Sequence, residues 1–79
     1  MWWLFEKVSE AATQIIYRYS RESNECSGRI VFDKQTHDIV EFMHCAKDHS
    51  EFDKKVAIGK FICCVVDEGF PDKRKVVCG

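Results

Sequence analysis

Apolar positions near the N-terminus recur as Phe5, Val8, Ala12, Ile15 and Tyr19, with Leu4, Ala11 and Ile16 beside them. That spacing predicts an amphipathic helix over about residues 2–22. Glu6, Lys7, Glu10, Gln14, Arg18 and Arg21 fill the opposite side. Acids come early and arginines late, which suits the helix dipole. "SRESNECSG" closes the element, because Ser23 and Asn24 favour turns over helix interiors. Trp2 and Trp3 are adjacent, so one helix face does not bury both. One of them is expected at the edge of the core or in an interface.

The pattern then changes. "GRIVFDKQTHDIVEFM" reads as a β-hairpin. With Gln35, Thr36 and His37 as a three-residue loop, Ile30 falls opposite Phe42 and Phe32 opposite Val40, all four on one face. A one-residue slip destroys that match. The register puts His37 at the left-handed position of the loop, where histidine is one of the few tolerated non-glycine residues. The other face, with Val31, Ile39 and Met43 beside Asp33 and Glu41, is mixed.

Ser50 followed by Asp53 has capping-box spacing, and Glu51 and Asp53 place acids in a first helical turn. The helix is expected to run through Phe52, Val56, Gly59, Cys63 and Val66 on one face, with Ala57, Phe61, Cys64 and Val65 widening the apolar surface. "DEGFP" stops it: Gly69 suits a left-handed cap, Phe70 its hydrophobic contact, and Pro71 bars continuation. Residues 75–78 offer a short third strand or a frayed tail.

The expected architecture is α+β: one small domain over residues 1–79, ordered α-β-β-α(-β). It is a two-layer sandwich with an antiparallel hairpin or small sheet covered on one face by two helices. At 79 residues and 46% hydrophobic, the chain has an ordinary globular composition. Its apolar surface must fill a dense core or cover a leftover face against another molecule. The aromatic N-terminus and the mixed hairpin face point to a homodimer.

Net charge is −1, and no segment carries a strong excess of either sign. The basic "KRK" at Lys73–Lys75 is interleaved with Asp67, Glu68 and Asp72, so nucleic acid is not expected as a partner. "FICCVV" is far too short to span a membrane, and the N-terminus lacks a basic region before its apolar residues. A cytoplasmic location without membrane contact is expected. The five cysteines are odd in number, which favours reduced thiols over a disulfide framework.

The densest cluster of reactive side chains is "MHCAKDHSEFD", residues 43–53. A zinc or thiol site there would draw on Cys26, His44, Cys45 and His49. The spacing argues against it. There is no CxxC and no HxxxH, and His44 and Cys45 point to opposite faces of a strand. The bland reading is the end of a strand, a turn and a helix cap. The vicinal Cys63–Cys64 pair is too close for an unstrained disulfide. No phosphate loop, dinucleotide fingerprint or nucleophile elbow is present. The expected function is a small protein-interaction or regulatory module acting as a homodimer, not an enzyme and with no cofactor. The zinc- or thiol-based site is the alternative.

Overall fold

The computed structural model describes residues 1–78. Residues 2–22 do not form a helix. They are a β-hairpin of β1 (Trp2–Glu10) and β2 (Gln14–Arg21), antiparallel with Phe5 opposite Tyr19. The two-helix sandwich expected from the sequence is therefore replaced by a five-stranded antiparallel sheet with one short helix. The residues that decide this are Ile15, Tyr17 and Tyr19, all fully buried at every second position. In a helix Tyr17 would point away from the other two; in a strand all three face one side. Trp, Phe, Ile and Tyr also fit a pleated surface better than a helix. The two tryptophans divide accordingly. Trp3 enters the core, while Trp2 lies on the other face under the Lys75 ammonium, 4.4 Å from its ring centre.

The chain turns at Ala11–Thr13. Ala11 N–H donates to the Gln14 carbonyl at 2.7 Å, and Lys34 N–H to the Thr13 carbonyl at 2.8 Å. The second bond ties the first hairpin to the next.

The second hairpin is the one expected. β3 (Gly28–Asp33) pairs with β4 (Asp38–Met43), with Ile30 opposite Phe42. The loop is one residue longer than expected, Lys34–His37. His37 does take the left-handed conformation, at φ 59°. Asp33 Oδ1 accepts from the Gln35 and Thr36 N–H groups and shapes the turn. A bulge between Val31 and Phe32 then changes the pairing. Phe32 faces Ile39, and Val40 is left exposed instead of joining the core face.

Ser50 caps α1 (Glu51–Phe61), its hydroxyl accepting from the Asp53 N–H at 3.1 Å. The reciprocal bond reaches one residue further back than in a standard box: His49 N–H donates to Asp53 Oδ2. A π-helical segment, Ile62–Val66, continues α1. Gly69 takes the expected positive φ, 82°. The buried helical face is rotated from the expected one. Ala57, Phe61 and Val65 are buried, while Phe52 and Gly59 are exposed.

The chain then crosses to the far edge of the sheet, where β5 (Lys73–Val77) pairs with β1. The strand order is β4-β3-β2-β1-β5. Trp3, Phe5, Ile15, Tyr17, Tyr19, Ile30, Phe32 and Val76 face the helix and form one core with Ala57, Phe61 and Val65. The sheet's other face carries no helix; the 22–27 segment folds over one end of it, and Leu4, Ser20 and Val31 on that face are buried.

Surface acids add a dependence on pH. Asp53 is held below its ordinary value of 3.8, first by the His49 N–H it accepts. Lys34 and Lys7 hold Glu10 below 4.5, and Arg74 does the same for Glu68. A carboxyl lowered on folding contributes stability above its unfolded value and loses it as pH falls through its folded value. The urea midpoint should therefore fall from about pH 5 to about pH 3 and not respond to these groups near neutrality. A midpoint unchanged down to pH 3 would show that these pairs contribute nothing.

Candidate interaction surface

Part of the densest cluster of reactive residues is tied into the fold by β2. Tyr19, buried on β2, aims its hydroxyl at residues 45–48. It donates to Asp48 Oδ2 at 2.8 Å and accepts from the Cys45 N–H at 3.1 Å. Asp48 is a carboxylate only 2% exposed. Its Oδ1 lies 3.1 Å from Arg21 Nε, an ion-pair distance without hydrogen-bond alignment. Arg21 also donates to the Lys47 carbonyl at 2.8 Å and sits 3.6 Å from Asp53 Oδ1. One arginine and one tyrosine of β2 thus fasten the strand-to-helix connection. Burial pushes the Tyr19 hydroxyl far above its ordinary value. Close approach also explains Gly28: a Cβ there would strike the Tyr19 ring and lie 2.9 Å from the Cys45 nitrogen.

The four proposed ligands do not converge. Cys45 belongs to the core, and Cys26 is the buried residue of the 22–27 segment, its thiol 3.7 Å from the Leu4 carbonyl oxygen and 3.6 Å from Ser20 Oγ. His44 packs edge-on against Phe42 with its Nδ1 buried and unpartnered, and His49 is exposed ahead of the helix cap. Among the described residues, no three of His, Cys, Asp and Glu are grouped to hold a metal ion. Burial raises the thiols of Cys26 and Cys64, the opposite of what an activated nucleophile needs.

The uncovered sheet face is the surface that sequence reasoning missed, because residues 2–22 were read as a helix. Alternation along the strands puts Trp2, Leu4, Glu6 and Val8 of β1 there, with Ile16 and Arg18 of β2 and Arg29 and Val31 of β3. Glu41 and Met43 of β4 and Lys73, Lys75 and Val77 of β5 complete it. The 22–27 segment folds over one end, where Arg18 Nε donates to the Cys26 carbonyl at 3.0 Å. Beside it runs an open groove of about 310 Å³ lined by Val8, Ile16, Arg18, Cys26, Arg29 and Met43. Val8 (54%), Met43 (53%) and Val77 (71%) are more than half exposed. The ion pairs here are loose: Arg29 to Glu41 at 3.6 Å and Lys73 to Glu6 at 3.8 Å.

No helix among the described residues is long and apolar enough to cross a membrane. Comparisons with protein-family models, with curated proteins and with solved structures found no match to the chain.

Proposed function

We propose that the protein is a small interaction module that works through the outer face of its sheet, as a homodimer and without catalysis. One observation carries the reading: a five-stranded sheet covered by the helix on one face only, with Val8, Met43 and Val77 exposed on the other, outside the end that the 22–27 segment covers. An antiparallel sheet can leave a face in water, but that face then reads as cleanly polar. Here charged and aliphatic side chains alternate, as in a protein–protein interface with a polar rim. The basic side chains on this face lie beside acids, Arg29 by Glu41 and Lys73 by Glu6, which does not favour a nucleic-acid backbone.

Native mass spectrometry and sedimentation test the reading together. The expected species is a metal-free dimer at twice 9.2 kDa. Val8→Lys combined with Met43→Lys should shift it to monomer with an unchanged circular dichroism spectrum. A wild-type monomer throughout the micromolar range would overturn the homodimer. A mass increment of one zinc per chain would favour the alternative centred on Cys26, His44, Cys45 and His49.

A further inference from the structure

The strand register sets two arginines side by side at the groove. Arg18 of β2 lies directly opposite Arg29 of β3. The bond from Lys34 N–H to the Thr13 carbonyl fixes the alternation along these two strands. It makes Arg18 and Arg29 a non-hydrogen-bonded pair, the kind whose side chains lie closest. Like charges in that position destabilise a sheet unless a negative group relieves them. The chain supplies little relief. Arg29 has Glu41 at 3.6 Å, and both side chains are about half exposed. Among the described residues no carboxylate pairs with Arg18. Glu6, its neighbour across β1, lies instead by Lys73 at 3.8 Å. Arg18 Nε donates to the Cys26 carbonyl, which pins the guanidinium at the wall of the groove. We propose that the groove binds a small amphipathic carboxylate, its head between Arg18 and Arg29 and its alkyl chain along Val8, Ile16 and Met43.

Volume, lining and charge set the class of ligand. The groove of about 310 Å³ is at the lower end of the ~300–1,000 Å³ of ligand sites, so the occupant is small. Val8, Ile16 and Met43 give it an aliphatic side, with Val8 and Met43 more than half exposed. A guanidinium fork matches a planar carboxylate. Arg18, Arg29 and Lys73 stand here against Glu6 and Glu41, an excess of one positive charge. A carboxylate cancels that excess, whereas a phosphate group would bring more negative charge beside the two glutamates. The groove is built within one chain, so this inference goes beyond the homodimer reading and stands without it. The two share Val8 and Met43, so a carboxylate in the groove competes with a second copy for the outer face.

Calorimetric titration with sodium octanoate, below its micellar range, tests the site. Octanoate should bind once per chain with a dissociation constant of about 0.1–1 mM, as suits a small ligand in an open groove. Affinity should fall about 2–4-fold for each methylene removed, through hexanoate to butanoate. Octanol, which lacks the charge, should bind at least ~10-fold more weakly. Arg29→Gln should weaken octanoate ~10-fold with an unchanged circular dichroism spectrum. Arg18→Gln should do the same, but it also releases the Cys26 carbonyl, so Arg29→Gln is the deciding variant. Octanol bound as tightly as octanoate, undiminished binding by Arg29→Gln, or no octanoate binding by the wild-type chain overturns the proposal. Sedimentation in the same solutions separates it from the homodimer reading. A wild-type monomer that binds octanoate overturns the homodimer and supports this site. A dimer that dissociates as octanoate binds supports both. A dimer that binds octanoate and stays intact supports this site and overturns dimerisation through the outer face.

Discussion

Replacing Phe61 by alanine should destabilise the protein by about 3–5 kcal/mol, a large part of its total stability. The Phe61 ring joins helix to sheet. Its centre lies 5.8 Å from Phe5, 5.4 Å from Tyr17 and 5.9 Å from Phe32, so one side chain touches three strands. It is fully buried, and the rigid sheet has little freedom to collapse into the void. A domain of this size has a total stability of about 5–10 kcal/mol, so the loss takes much of it. Phe52, nine residues earlier on the same helix and 72% exposed, is the control. Phe52→Ala should cost within about 0.5 kcal/mol. Urea unfolding of both variants reads the difference. Equal effects would mean that the helix is docked by a different face.

Asp48→Ala is the second large effect, at about 2–4 kcal/mol. It strands the Tyr19 hydroxyl and removes the anion beside Arg21. The arginine side chain remains 23% exposed, so water relieves part of its loss and the upper end of the range is not expected. Tyr19→Phe should cost about 1–2 kcal/mol, because it leaves the Cys45 N–H without an acceptor. The two substitutions share a bond, so the double variant should cost less than their sum. An Asp48→Ala protein as stable as wild type would show that the network does not fasten the strand-to-helix connection.

These two sites differ in how far they could be read from the chain. The Ser50 cap, the left-handed Gly69 and His37, and the Ile30–Phe42 pairing all came from local rules that depend on a few neighbours. The helix itself was legible, but its buried face was not. Phe52, Val56 and Cys63 share a helical stripe as well as Ala57, Phe61 and Val65 do, and only the sheet beneath selects between them. Residues 43–53 run from the end of β4 at Met43 through a turn to the Ser50 cap, close to what the local pattern indicates. That Asp48 within them is a buried anchor was invisible, because its partners Tyr19 and Arg21 lie in a segment read as a helix.

That segment marks the limit. Phe5, Ile15 and Tyr19 satisfy a helical period and a strand period equally, and Ala11-Ala12-Thr13 has none of the glycine, asparagine or proline that announces a hairpin. A two-stranded ribbon is marginal alone, so local preference could not choose. The choice falls to β3, the next strand, which pairs with β2, to β5, which pairs with β1 from the far end of the sequence, and to Phe61, which fills the space above them. By itself the sequence determined the second hairpin, the helix start and the helix stop, because short-range hydrogen bonds and backbone preferences suffice for each. Only the tertiary structure decided the five-stranded sheet and the helix-free outer face, because both depend on backbone pairing and burial between residues far apart in the chain; the bulge that expels Val40 is local to the second hairpin, but the alternating pattern does not announce it.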